Sequence, residues 1–159
     1  MLGHRDRLHV AMEGVKSETE LAVSVGSVDR LSLRWNAVCL DCADAEEMAT
    51  FYGRLFGWEM TGRDGEGWIA MNDPSGGVGL LFQAEEWYEP PAWPEQSDLQ
   101  HKMLHFEIEV DDVETAVAHA ISAGARVALH QPEDRDPATL RVMLDPAGHP
   151  FCLWSNAED

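Results

Sequence analysis

Basic side chains are scarce: 11 Lys and Arg stand against 29 Asp and Glu, giving the 159-residue chain a formal charge of −18. A surface this acidic repels phosphate backbones and anionic headgroups, which argues against nucleic-acid and membrane partners. Long apolar runs are missing as well, and no stretch approaches the roughly 20 residues a membrane helix needs. Cysteine is limited to Cys39, Cys42 and Cys152. Three thiols cannot close a disulfide framework, so reduced cysteines and an intracellular protein are expected. The charged start (His4, Arg5, Asp6, Arg7) leads into no continuous apolar stretch. No secretory signal is therefore expected, and the cytoplasm is the expected location.

What is present suffices for a core. Apolar residues make up 45% of the chain and include six Trp, which excludes global disorder and suits one domain or two small halves sharing a core. Residues 1–30 have only scattered apolar positions. They read as a loosely ordered leader or as an arm packing on a partner subunit.

Rhythm begins at Leu31. Residues 31–41 (LSLRWNAVCLD) suit a strand. Asp44 then precedes an acidic turn, and Met48, Phe51, Tyr52 and Leu55 recur at helical spacing up to Gly57. Short strands are expected over 58–61, 67–72 and 78–83, the last two separated by the turn Asp73-Pro74-Ser75-Gly76-Gly77. Residues 85–101 carry the prolines of a connecting loop, with Trp87, Tyr88 and Trp93 as its aromatics. The order then repeats. A strand over 103–110 leads to capping Asp112 and a helix with a stripe of Val113, Ala116, Val117, Ala120 and Ile121, stopped by Gly124. Strands over 126–130, 139–144 and 150–154 follow, with the turn Asp145-Pro146-Ala147-Gly148 before the last.

This is an internal duplication. NDPSGGVGLLFQ (72–83) lies over LDPAGHPFCLWS (144–155), and Asp44 and Asp112 each cap a helix. The expected fold is α+β: two tandem β-α-β-β-β modules, 31–84 and 102–156, forming a curved, mostly antiparallel sheet around a cavity with helices outside.

The paired modules, with LDCADAEEMATFYGRLFGWEM, HFEIEVDD and DPAGHPFCLW, resemble the vicinal oxygen chelate superfamily, in its glyoxalase-like branch. That superfamily includes glyoxalase I, extradiol dioxygenases and bleomycin-resistance proteins. The resemblance implies metal ligands at matching strand positions in metal-using members. One is His105, seven residues before Asp112; the same step before Asp44 meets Ala37. Another is the place of Cys152, seven residues after Asp145; the same step after Asp73 meets Leu80. Two donors do not hold a divalent ion selectively. A zinc site of Cys39, His105 and Cys152 is the alternative, but a metal-free pocket without cofactor is the expectation. Glyoxalase and dioxygenase chemistry, which needs the ion, is then disfavoured.

Strand alternation sorts the faces. His105, Glu107 and Glu109 share one face, as do Trp35, Ala37 and Cys39. Val78, Leu80 and Phe82, then Pro150, Cys152 and Trp154, join the lining, together with Trp68, Ala70, Leu140 and Val142. The ligand-binding candidates are Trp35, Cys39, Trp68, Phe82, Trp93, Leu140, Cys152 and Trp154; the same aromatics also suit a closed core. His105 and Glu107 are the one acid–base pair on that face, and a carboxylate beside an imidazole suits proton transfer near neutral pH. A histidine merely hydrogen-bonded in place is the plainer reading of the same pattern. The expected function is a glyoxalase/bleomycin-resistance-like protein binding an apolar, aromatic or cationic small molecule without a metal, as a homodimer. The alternative is a lyase or isomerase that uses His105 and Glu107, with or without a weak metal site.

Overall fold

Asp44 starts the first helix by accepting hydrogen bonds at its side chain from the amides of Glu46 and Glu47, at 2.9 and 3.0 Å. Those two acidic residues favour the positive end of the helix dipole. The helix α1 (Ala45–Phe56) ends at Gly57, whose φ of 71° is the left-handed conformation that glycine adopts without a Cβ penalty. Asp112 opens α2 (Val113–Ala123) in the same way, accepting from the Thr115 amide at 2.7 Å. The computed structural model describes residues 33–156, so the expectations for residues 1–30 lie outside the described residues.

Around the helices run the strands β1 (Ala37–Cys42), β2 (Met60–Asp64), β3 (Trp68–Met71) and β4 (Gly79–Ala84) of the first module. The second module has β5 (Phe106–Glu109), β6 (Arg126–Val127), β7 (Leu140–Leu144) and β8 (Pro150–Trp154). Each module is β-α-β-β-β, as the duplication predicts, and each builds its own four-stranded sheet. The orders are β1-β4-β3-β2 and β5-β8-β7-β6. Only β1–β4 and β5–β8 are parallel; every other pairing is antiparallel. Gly79 is required where β4 turns in beside β3, because a Cβ there would stand 2.5 Å from the Met71 carbonyl oxygen.

Both helices bury into one core that the two sheets share. Met48, Phe51 and Tyr52 of α1 and Ala120 and Ala123 of α2 pack with Leu40, Ile69, Phe82, Met143, Phe151 and Leu153. Ring contacts cross between the modules: Phe51 to Phe151 at 6.1 Å and Tyr52 to Phe106 at 5.9 Å. Each such side chain contributes roughly 1.5–3 kcal/mol on burial, so the modules stabilise one another. The sheet faces turned away from the helices carry Cys39 and Asp41 in one module and His105 and Glu107 in the other.

The face assignment needs one correction. Leu80 and Phe82 point to the helices: Phe82 is fully buried and stacks on Tyr52 at 5.4 Å. The neighbours of Cys39 and Asp41 on the opposite face are Leu81 and Gln83. The turn before β4 holds one residue more than the turn before β8, and a one-residue slip exchanges the two faces of a strand. Leu81, not Leu80, is therefore the counterpart of Cys152. Val78 lies ahead of β4, outside the strand.

Candidate functional site

The outer face of the second sheet brings chemistry together. His105 stands immediately before β5, and Glu107 is the next residue on that face. Their backbones are two residues apart, yet the side chains meet, His105 Nε2 lying 2.7 Å from Glu107 Oε1. Cys152 sits opposite Glu107 in the β5–β8 register. Its buried thiol is pushed up to about 12, first by burial and then by the charge and hydrogen bonding of Glu107. Donor atoms of His105, Glu107 and Cys152 all lie within 4.8 Å of one another. His105 and Glu107 remain open to solvent, with 39% and 50% of their side-chain surfaces exposed.

Beside this trio lies a small apolar cluster separate from the main core. Ala128, Val142 and Cys152 pack with Trp93, Leu140 and Leu144. Trp93 comes from the connecting loop and is pinned from two sides. Its Nε1 donates to the His130 carbonyl at 2.9 Å, and Lys102 Nζ lies 4.9 Å from its ring centroid. Lys102 also pairs with Glu95 at 2.5 Å. Trp154, across from Leu140 in the register, keeps its Nε1 buried without a hydrogen-bond partner.

A cavity of about 350 Å³ lies where the connecting loop passes β1, walled by Cys39, Asp41, Glu85, Tyr88, Leu104 and His149. Burial, followed by the charges of Asp41 and Glu85, raises the Cys39 thiol above its ordinary value.

Behind the cavity is a network that the sequence pattern did not single out. Asp145 is fully buried. Its Oδ2 accepts from the Tyr52 hydroxyl at 3.1 Å and lies 2.9 Å from His149 Nδ1, while its Oδ1 accepts from the His149 amide at 2.9 Å. The Tyr88 hydroxyl donates to the Ala147 carbonyl at 3.0 Å and lies 3.2 Å from His149 Nε2. Burial and the Asp145 charge push the Tyr52 and Tyr88 hydroxyls well above the usual tyrosine value. The helical spacing marks Tyr52 as a core position and says nothing of Asp145 or His149 as its partners. Only the fold brings Tyr52 and His149 to one carboxylate.

The expected lining residues are thus divided. Leu140, Cys152 and Trp93 belong to the cluster that adjoins Glu107, and Trp154 stands one pair further along, opposite Glu109. Cys39 belongs to the other module's face, exposed, with its Sγ 4.0 Å from Gln83 Oε1, while Trp68 pairs with Gln83 on that same sheet. Trp35 precedes β1, is 75% exposed and lies outside any strand. Phe82 is withdrawn into the helix-side core. His119 has Nε2 3.0 Å from the Leu55 carbonyl oxygen and so ties α2 to the end of α1.

A glyoxalase-like domain model matches residues 37–154, which is most of the chain and both modules. The chain belongs to the glyoxalase-like domain family. Solved structures share its fold. A glyoxalase/bleomycin resistance protein/dioxygenase family enzyme from Burkholderia phytofirmans PsJN is 23% identical, covers 79% of this chain and 100% of its own, and superposes with a TM-score of 0.57. A glyoxalase-related enzyme from Fulvimarina pelagi is 20% identical over 77% of this chain and 88% of its own, with a TM-score of 0.55. A bleomycin-binding protein in complex with bleomycin is 22% identical, covers 79% of this chain and 100% of its own, and has a TM-score of 0.51. No match is found among curated protein sequences. Among the described residues no helix is long and apolar enough to cross a membrane.

For this glyoxalase-like domain the metal question rests on the donors present. The ligand positions that the resemblance implies in the first module hold Ala37 and, in the corrected register, Leu81, neither of which can bind an ion. In the second module the implied positions hold two donors, His105 and Cys152. Glu107 supplies a third, so the donor count that spoke against an ion changes, and one imidazole, one carboxylate and one thiol are a set that suits zinc.

Proposed function

We propose that this glyoxalase-like protein binds a small molecule on the outer face of its second module. The observation that carries the reading is the apolar cluster of Trp93, Leu140, Val142 and Cys152 lying directly beside the polar His105–Glu107 pair. Apolar walls with few placed polar groups are the usual makeup of a ligand site. The buried Trp154 Nε1 adds a donor that a ligand oxygen could satisfy. An apolar, aromatic or cationic ligand fits best, because the formal charge of −18 draws cations and aromatic rings attract them at short range. The bleomycin-binding structure shares this fold with a small molecule bound, which supports the same use here. A homodimer in which a second copy packs against the exposed parts of these sheet faces, such as Cys39, His105 and Glu107, belongs to the proposal.

Thermal-shift screening of aromatic and organic-cation compounds tests the reading. A compound that raises the melting temperature of the native protein, and does so less for Trp93→Ala, supports it; a screen with no stabilising compound removes it. Molecular mass in solution tests the homodimer.

A second reading, a lyase or isomerase, is favoured by one distance. His105 Nε2 and Glu107 Oε1 are 2.7 Å apart, close enough for Glu107 to orient His105 as an acid–base group. Exchange of a substrate proton with solvent deuterium, lost in His105→Ala, would mark this activity.

A further inference from the structure

We infer that His105, Glu107 and Cys152 form a zinc site contained within the second module. Alternate residues of one strand point to the same face, and the residue opposite on the neighbouring strand stands on that face as well. His105 and Glu107 are such an alternate pair, and Cys152 is the cross-strand neighbour of Glu107. Three different donor chemistries therefore converge, with the ligating atoms all within 4.8 Å of one another.

Donor identity selects the metal. A thiolate and an imidazole favour zinc over magnesium, calcium or manganese, which prefer oxygen ligands. A carboxylate completes three protein ligands, the number found in open zinc sites that keep one position for water or a substrate. Burial supports that division: Cys152 is 8% exposed at the floor, and His105 and Glu107 stand at the rim. The ion would polarise an oxygen ligand or its bound water at the open position.

The site needs nothing from the first module, whose matching positions are the hydrocarbon side chains of Ala37 and Leu81. It also excludes Cys39, which sits on the other sheet and approaches Gln83. Among the described residues Cys39 is not part of the close donor group, so a zinc set built from Cys39, His105 and Cys152 does not form in this arrangement. The zinc site shares Cys152 with the apolar cluster, yet metal content is read without any small molecule, so its test stands apart from that of ligand binding.

Cobalt substitution and metal analysis test it on the full chain. Protein purified with reductant and without chelator is expected to contain one zinc per chain. After zinc is removed, Co2+ should produce a sulfur-to-cobalt charge-transfer band and the visible bands of a tetrahedral ion. The sulfur band should vanish in Cys152→Ser and persist in Cys39→Ser. His105→Ala and Glu107→Gln, both at exposed positions, should each weaken zinc binding by more than about 100-fold, since even supporting residues around a metal contribute 10- to 100-fold. Circular dichroism of each variant establishes that it is folded. A cobalt spectrum without a sulfur band in the native protein, or one that survives Cys152→Ser, overturns the inference. So does zinc binding unaffected by both His105→Ala and Glu107→Gln.

Discussion

The Tyr52 hydroxyl, on the first helix, donates at 3.1 Å to the fully buried carboxylate of Asp145, 93 residues away in the turn before the last strand. Asp145 is the sole buried charged residue among those described, and it is satisfied by Tyr52 and by both nitrogens of His149 that face it. One carboxylate thus fastens the first module's helix to the second module's turn, and His149 passes the connection on to Tyr88 in the linking loop.

Removing one donor from that carboxylate should be felt by the whole fold. Tyr52→Phe keeps the ring contacts with Phe51, Phe82 and Phe106 and deletes only the hydroxyl. Hydrogen bonds to charged groups contribute roughly 1.5–3 kcal/mol, and a loss of that size is expected in urea unfolding, with little change in circular dichroism. A loss below about 0.5 kcal/mol, inside the ordinary range for a surface substitution, would mean the bond is not a tie between modules.

Gly79→Ala tests how tightly β4 seats against β3. The added methyl would stand 2.5 Å from the Met71 carbonyl oxygen, a backbone atom that cannot swing aside. Overpacking of this kind typically costs about 1–3 kcal/mol. Unfolding titrations should show that loss, and an unchanged midpoint would contradict the strand register given above.

Acid should weaken the second helix through its cap. The Thr115 side chain and amide hold the Asp112 carboxyl below its ordinary 3.8. A carboxylate lowered in the folded state adds stability above its unfolded value and loses it as pH falls through the folded value. The stability difference between the native protein and Asp112→Ala should therefore be constant at neutral pH and shrink below about pH 4. A difference that holds steady down to pH 2 would refute the cap's role.

Cys39 and Cys42 should differ in reactivity. Cys39 is exposed, whereas Cys42 is fully buried, and burial is the main cause that pushes its thiol up to about 11. The thiolate is the reactive species, so an alkylating reagent at neutral pH should modify Cys39 first, and faster as pH rises. Cys42 should react only in denaturant. Equal rates, followed by mass spectrometry of the labelled peptides, would show that the core opens locally around β1.

Much of the architecture was legible in the chain because it is locally encoded. Asp44 and Asp112 cap helices with their own side chains, Gly57 ends the first by taking a left-handed φ, and the two Asp-Pro turns precede the last strands. These signals operate within a few residues, and they were enough to predict the repeated β-α-β-β-β order. Alternation also placed His105, Glu107 and Cys152 on one face. It failed at Phe82, since one additional turn residue reverses which side of β4 meets the helices, and periodicity alone cannot register the slip.

The amino-acid sequence by itself determined the two modules, their caps and turns, and the acidic balance that governs which partners can approach. Tertiary structure alone decided that Cys152 stands beside the His105–Glu107 pair, and that Tyr52 and Tyr88 meet the Asp145–His149 turn. Those contacts join residues that are far apart along the chain. Their distances are fixed by the strand register and by the shared packing of both helices, not by any local preference of the residues themselves.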